Sequence, residues 1–361
     1  MKRYIIIAGE TSGDMYGSVL MKTLRAQHEE RVSFWGIGGQ KMSAEGLFPL
    51  ENMNNIAVVG FTEIFKKIPS IIKLLNRLSN FAEETQPDGL ILIDFPGFNM
   101  RLAKKLKKRG RIKFPLIYFV SPQIWAWNEG RIKFIKKYID KMLVIFPFEE
   151  TFYKKYNINA TYVGHPFLDD WRPTNKKELK QCFGFNKNKK LIGIFPGSRS
   201  EEIKRHLPVY IKSIDRLKEN NLDYEFALGL APSFDKKIIE KNYALNNIKI
   251  ITEKPIKLLE CCDAAIVTSG TISLQSSLVG TPCVVNYKLS FISWVLSKLL
   301  IKVKYMSMTN IIAKKIVLPE LMQYKVSPEN ISKAINKILN DSVYADGLNV
   351  ELAALKNIFL E

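Results

Sequence analysis

A chain of 361 residues exceeds what one hydrophobic core usually serves, and its 47% hydrophobic content suits a folded globular protein, so two domains are expected. Its four cysteines (Cys182, Cys261, Cys262, Cys283) form no spaced pairs and its three histidines (His28, His165, His206) no ligand cluster, which argues for a reducing compartment and against zinc. A net charge of +19, spread over both halves, points to a polyanionic partner, either nucleic acid or an anionic membrane face.

The apolar run Tyr4–Ala8 behind Met1-Lys2-Arg3 is too short for a signal peptide, and no run of about 18 apolar residues exists to span a bilayer. A cytoplasmic protein is expected. The first predicted strand, Ile5-Ile6-Ile7, enters the turn Gly9-Glu10-Thr11-Ser12-Gly13-Asp14 and then a helix from Met15 to Ala26. Such a first strand-to-helix loop is where an open parallel sheet builds its ligand crevice. Glu10 there reads either as a helix cap or as a ligand contact. Strands at Val32–Ile37, Gly89–Ile93, Leu116–Val120 and Met142–Phe146 follow, with helical stretches between them, the pattern of a doubly wound α/β domain.

Between the second and third of these strands, Val58–Leu75 holds more apolar residues than one helix face buries, flanked by lysines. It reads as core packing or as an interfacial membrane contact. Asp94 ends the Gly89–Ile93 strand ahead of the turn Phe95-Pro96-Gly97-Phe98-Asn99. It is either a general base at the crevice or the N-cap of the next helix. The span Arg101–Lys113 then holds eight basic residues and no acidic one, a pattern usual for a solvated helix face. In the loop Ser121–Trp127, Trp125 and Trp127 form a sugar or lipid wall or else pack as core. Gly164-His165-Pro166 closes this half, and Asp169–Lys177 reads as a linker.

A second α/β series starts at Leu191–Phe195, and the turn Pro196-Gly197-Ser198-Arg199 leads into a helix from near Glu201. Glycine permits close backbone approach, and Arg199 can grip a pair of anionic oxygens. The turn lacks the spacing and lysine of a P-loop, which argues against a Walker NTPase. Strands at Tyr224–Leu228, Ile248–Ile251 and Ala264–Val267 lead to the turn Thr268-Ser269-Gly270-Thr271, a helix to Val279 and a strand at Cys283–Val285. Free N–H groups at that helix start attract phosphates. The hydroxyls of Ser269, Thr271 and Ser273 can bind a ligand or simply cap the helix. Phe291–Val303, about 13 residues, is too short to span a membrane and reads as a core helix or a second interfacial patch. Two α/β domains with two anion-type turns in the second point to a nucleotide-sugar glycosyltransferase. No RNA-binding signature and no helix-turn-helix pattern is evident, so no nucleic acid partner is expected.

Nearly end to end, the chain resembles the lipid-A-disaccharide synthase family. The resemblance rests on Ala8-Gly9-Glu10-Thr11-Ser12-Gly13-Asp14, Gly38-Gly39 with Met42, Ile93–Asn99, Val120–Trp127 and Phe146-Pro147-Phe148-Glu149. It continues through Val163-Gly164-His165, Pro196–Arg199, Ser269-Gly270-Thr271, and Asn310 with Pro319-Glu320-Leu321-Met322-Gln323. It implies two facing Rossmann-like doubly wound domains of the GT-B type. Residues 1–168 would form the acceptor- and lipid-binding domain and 169–344 the UDP-sugar-binding domain. A carboxyl-terminal helix, 345–361, would pack back on the first.

The implied activity is an inverting transfer, without cofactor or metal. UDP-2,3-diacylglucosamine is joined to 2,3-diacylglucosamine 1-phosphate through a β-1,6 bond, and UDP is released. Peripheral attachment to the cytoplasmic leaflet of the inner membrane would explain both the basic charge and Val58–Leu75; a homodimer is left open. Residue by residue, the resemblance implies Asp94 as base and Glu10 as the carboxylate of the first loop. Ser12, Asn99, Trp125, Ser198, Arg199, Ser269, Gly270, Thr271, Gln275, Asn310, Glu320 and Gln323 would bind substrate. Gln275 departs from the family, which usually has glutamate there over the ribose hydroxyls; an amide oxygen can still accept from a hydroxyl. Ser307-Met308-Thr309-Asn310 likewise stands in place of Ser-Leu-Pro-Asn. The rivals are another UDP-sugar enzyme of this fold, a muropeptide N-acetylglucosaminyltransferase or a 2-epimerase, and a basic non-catalytic membrane- or nucleic-acid-binding protein.

Overall fold

Continuous apolar runs such as Ile5-Ile6-Ile7 and Leu90–Ile93 can be buried on both sides only in a parallel sheet covered by helices on both faces. The computed structural model, which describes residues 1–53, 61–127, 129–220, 223–231, 234–290, 294 and 303–360, has two such sheets. The chain divides into units Met1–Trp171 and Arg172–Glu361. The first unit holds β1 (Lys2–Ala8), β2 (Val32–Gly38), β3 (Leu47–Asn52), β4 (Gly89–Ile93), β5 (Leu116–Phe119), β6 (Lys141–Val144) and β7 (Ala160–Tyr162). All pair in parallel, in the order β3-β2-β1-β4-β5-β6-β7.

The second unit holds β8 (Lys190–Phe195), β9 (Tyr224–Gly229), β10 (Ile248–Ile251), β11 (Ala264–Thr268), β12 (Cys283–Tyr287) and β13 (Glu320–Met322). Their order is β10-β9-β8-β11-β12-β13, again all parallel. Two edge strands escape sequence reading for physical reasons. β3 contains Pro49 and Glu51 and alternates poorly, as edge strands may. β13 is three residues long.

Three expectations about helices change. The carboxyl-terminal helix Ser342–Ile358 buries Leu348 and Leu352 in the core of the second unit and packs on the helices Thr271–Val279 and Pro328–Asn340. The expectation for 345–361 is packing on the first unit; the leucines of this helix complete the core formed by its own sequence neighbours. The expected linker Asp169–Lys177 is partly helical, within Pro166–Asp170 and from Lys176 onward.

The third concerns Val58–Leu75, which divides along its length. Residues 58–60 and the side chains of 61–67 lie outside the described residues. In the rest of the helix Phe61–Thr85, Leu74, Leu75 and Leu78 are core while Ile68 and Ile72 stand 40% and 51% exposed. Phe291–Val303, apart from residues 294 and 303, also lies outside the described residues, as does the side chain of Trp127. No helix among the described residues is long and apolar enough to cross a membrane.

Two buried carboxylates hold the loops at the carboxyl edge of the first sheet. The helix Thr11–Gln27 starts directly after Glu10, so Asp14 lies in its first turn rather than in a loop. Its oxygens accept from the backbone N–H groups of Gly39 (2.8 Å), Met42 (3.0 Å) and Lys41 (3.1 Å). Asp14 thereby caps the short helix Gln40–Ala44, whose own N-cap residue is a glycine without a side chain. After β5, Val120 turns left-handed and the next segment is tied to Glu149. That carboxylate accepts from Ser121 Oγ (2.8 Å), Trp125 Nε1 (3.0 Å) and the Phe146 amide (3.3 Å). Tyr153 in turn donates to Ser121 Oγ at 3.1 Å. Burial outweighs these donors and pushes the Glu149 carboxyl up to about 7.

Asp14→Ala strands three backbone donors and is expected to destabilise the protein by about 2–3 kcal/mol in denaturant titration. A loss below about 0.5 kcal/mol would mean that water replaces the carboxylate. The Glu149 prediction has the opposite sense with pH. A carboxyl whose folded value is raised keeps its proton in the folded state, so stability falls as pH rises from about 4.5 to about 7. Glu149→Gln removes that loss. The stability of the variant relative to the parent should therefore rise across this window, by on the order of 3 kcal/mol. A pH-independent difference would show that folding leaves the carboxyl unshifted.

Candidate functional site

In the first sheet the strand order reverses between β1 and β4, which are paired up to Ala8 and Ile93. The chains leaving these two strands therefore start side by side at the crevice of the sheet. Gly9 and Glu10 follow β1. Asp94 and Phe95 follow β4, and the Phe95 ring lies so close on Gly9 that a Cβ there would strike it. Glu10 occupies the N-cap position of the helix Thr11–Gln27, yet its side chain does not cap that helix. Ser12, in the first turn, is half-buried.

Asp94 is not a helix cap either, since Phe95 holds that position before the helix Pro96–Arg109. Asp94 (φ +44°) and Phe95 (φ +47°) are both left-handed, a conformation that costs a non-glycine residue about 1–2 kcal/mol. The Asp94 amide donates to Phe119 O at 3.0 Å. Its carbonyl accepts from Asn99 Nδ2 at 2.8 Å and from Tyr118 Oη at 2.6 Å. The side chain itself is half-buried, and its charge adds to burial in pushing the phenols of Tyr16 and Tyr118 above their ordinary range. Asn99 is fully buried, with a second bond to Ile93 O at 3.1 Å. Its amide nitrogen holds this turn. Trp125 is half-buried beside Phe148, with ring centroids 5.0 Å apart, its indole N–H already committed to Glu149.

The second sheet repeats the arrangement with different chemistry. Its order reverses between β8 and β11, paired up to Phe195 and Val267. The turns Pro196–Arg199 and Ser269–Thr271 leave those strands side by side. Gly197 has φ +118°, and the Glu202 carboxylate lies where its Cβ would be. One oxygen of Glu202 accepts from the amides of Ser198 (2.9 Å) and Arg199 (3.2 Å), and the other stands 3.8 Å from Arg199 Nη1. The backbone donors of this turn are thus taken by the chain's own carboxylate. Arg199 contributes a side chain, 58% exposed.

The second turn is built differently. Gly270, at φ +153°, is an N-cap with no side-chain cap. Ser269 Oγ donates to Met306 O at 3.4 Å and Ser273 Oγ to Gly270 O at 2.7 Å, so neither hydroxyl caps the helix Thr271–Val279. The positive end of that helix stays open at exposed Thr271. Gln275, one turn further, is 6% exposed, and its amide makes no hydrogen bond to another described residue.

The late motif serves the scaffold. Fully buried Asn310 accepts from the amides of Val317 (2.8 Å) and Leu318 (2.9 Å) and donates to Leu318 O (2.8 Å) and Glu320 (2.7 Å). All four of its hydrogen-bonding sites are filled within the chain. Glu320 also accepts from the amides of Met306 (3.0 Å) and Ser307 (2.8 Å) and from the Ser307 hydroxyl (2.9 Å). Gln323 pairs with the backbone of Leu289, accepting at 2.7 Å and donating at 3.3 Å. Both shape the chain at this place.

Sequence reading missed Tyr118, Glu149, Glu202 and His206. Glu149 and Glu202 each had a local signal, an acid in the first turn of a helix. His206 Nε2 accepts from the Lys288 amide at 3.0 Å, which leaves Nδ1 to donate to Glu202 O at 2.8 Å. Burial lowers its pKa, in keeping with this neutral form.

The family model described as Lipid-A-disaccharide synthetase matches residues 4–352. The lipid-A-disaccharide synthase of Geobacter sulfurreducens is 37% identical over 358 residues, covering 98% of this chain and 92% of its own. Among solved structures, the UDP-GlcNAc 2-epimerase of Neisseria meningitidis bound to UDP-GlcNAc superposes with a TM-score of 0.65 at 14% identity, covering 99% of this chain and 97% of that one. The calicheamicin glycosyltransferase CalG4 superposes with a TM-score of 0.60 at 10% identity, covering 100% and 94%. These two likenesses concern the fold, which is of the GT-B type. By the near-complete family match and the identity to its relative, the chain belongs to the lipid-A-disaccharide synthase family.

Proposed function

We propose that this glycosyltransferase joins UDP-2,3-diacylglucosamine to 2,3-diacylglucosamine 1-phosphate through a β-1,6 bond and releases UDP. The observation that best supports this reading, beside family membership, is the pairing of chemistries at the two switch points. One presents Asp94 and Glu10; the other presents Arg199 and an uncapped helix start. The acceptor's 6-hydroxyl attacks the anomeric carbon on the face opposite UDP, so the configuration inverts. An alcohol proton must leave as that bond forms, and the Asp94 carboxylate takes it. Glu10, at the same crevice, orients the acceptor.

UDP departs with growing negative charge on its phosphate. The Arg199 guanidinium and the N–H groups of the helix opening at Gly270 and Thr271 stabilise that charge. The hydroxyls of Ser12, Ser198, Ser269 and Thr271 lie on these turns and hydrogen-bond the sugars and phosphates. Gln275 accepts from a ribose hydroxyl, and Trp125 walls the acceptor side. In this reading the first unit takes the acceptor and the acyl chains, and the second takes the UDP-sugar. Exposed Ile68 and Ile72, with nearby cations, bring the protein to the cytoplasmic leaflet of the inner membrane as a peripheral protein.

The test is UDP release from the two acylated sugars. Turnover is expected to require the acyl chains of both; equal turnover of unacylated UDP-N-acetylglucosamine would favour the rival sugar enzymes, and no turnover a binding protein. Asp94→Asn is expected to fold, to bind UDP like the parent and to lose ~10²-fold or more in turnover. A variant with undiminished turnover would pass the role of base to Glu10.

A further inference from the structure

We propose that Tyr118 is a positioning residue for the transfer: with Asn99, it holds the Asp94 backbone in the left-handed turn that presents the carboxylate at the crevice. This rests on the reading of Asp94 as the base. Tyr118 is fully buried in the core of the first unit, where phenylalanine would pack as well. A buried hydroxyl is unfavourable unless it is hydrogen-bonded. The Tyr118 hydroxyl has one partner among the described residues, the Asp94 carbonyl at 2.6 Å.

That carbonyl also accepts from Asn99 at 2.8 Å, and the Asp94 amide is fixed to Phe119 at 3.0 Å. Every backbone polar group of Asp94 is therefore tied down, in a conformation that a non-glycine residue avoids when left alone. Without the two donors the peptide between Asp94 and Phe95 is released to relax toward a right-handed or extended form. The carboxylate then moves from its place, and misplacement by about 1 Å can cost on the order of 10²-fold in rate. Asn99 Oδ1 is buried with no hydrogen-bond partner, so on this side chain only the donor end is engaged.

The experiment is a double-mutant cycle of Tyr118→Phe and Asp94→Asn, with kcat, both KM values, UDP affinity and thermal midpoint measured for each protein. Tyr118→Phe is expected to lower kcat about tenfold, with KM and UDP affinity unchanged, and to cause no further loss in the Asp94→Asn background. A merely structural tyrosine would lower the thermal midpoint and leave kcat unchanged, or would lower kcat equally in both backgrounds; either result overturns the proposal. Parental turnover in Asp94→Asn alone would sink the base reading, and this proposal with it. Loss in Asp94→Asn without loss in Tyr118→Phe would sink only the proposal. Asn99→Leu, which removes the other donor to the same carbonyl, is the second probe should Tyr118→Phe fail to fold. The same pattern is expected of it, and parental kcat in that variant would overturn the proposal.

Discussion

A parallel sheet has all its strands ending along one edge, and each departing chain must cover one face or the other. Where the strand order reverses, two neighbouring strands send their chains to opposite faces, and the gap between them stays uncovered. This constraint operates twice in the chain, at β1 and β4 and again at β8 and β11. It determines which residues are available for chemistry before any side chain is considered. At the first gap the sequence supplies two carboxylates, Glu10 and Asp94. At the second it supplies an arginine and an open helix start. Carboxylates and an anion-attracting turn thus stand in different units of one chain, each at the same topological place.

The turns at these gaps depart from ordinary backbone geometry, and buried polar groups hold them there. Asp94 and Phe95 are left-handed because Asn99, Tyr118 and the edge of β5 fix the Asp94 peptide groups. Gly197 is close to Glu202 because that carboxylate collects the amides of Ser198 and Arg199. Asp14 performs the same service for the chain leaving β2. A charged acceptor suits this role, because hydrogen bonds to a carboxylate are worth about 1.5–3 kcal/mol, enough to offset the strain of a left-handed residue. Asn310 and Glu320 sit in motifs that match the family, yet both direct their polar atoms to the chain itself, and Asn99 does so with its amide nitrogen.

This division limits what a sequence discloses. Apolar runs such as Leu90–Ile93 and Ala264–Val267 are legible as buried strands, and the glycine turns after them are legible as crevice loops, because both signals are local. The partner of a carboxylate is not local. Asp14 serves residues 39–42, and Glu149 serves Ser121 and Trp125, so neither pairing appears in the spacing of its own segment. Asn310 reads as a ligand contact for a related reason: a motif match identifies the residue and is silent on whether its amide is already saturated. The periodic leucines of Ser342–Ile358 foretell a buried helix. They do not state which core it completes, and it completes the nearer one.

The basic cluster Arg101–Lys113 illustrates how the same local run serves two ends. Toward the carboxyl end of its helix two of the cations are matched: Lys107 pairs with Asp140 at 2.7 Å and Arg109 with Glu83 at 3.2 Å. Lys105 bonds Asn76 on the neighbouring helix. Arg101, Lys104 and Lys108 are exposed and pair with no acid among the described residues. The bonds of Lys105 to Asn76 and of Arg109 to Asn80 show the helices Pro96–Arg109 and Phe61–Thr85 running in parallel. Exposed Ile68 and Ile72 therefore lie toward the same end as Arg101, the end that begins beside Asp94 at the carboxyl edge of the sheet. Apolar side chains and unmatched cations at this end of the helix pair would suit the acylated, phosphate-bearing acceptor and the anionic leaflet of the proposed reaction.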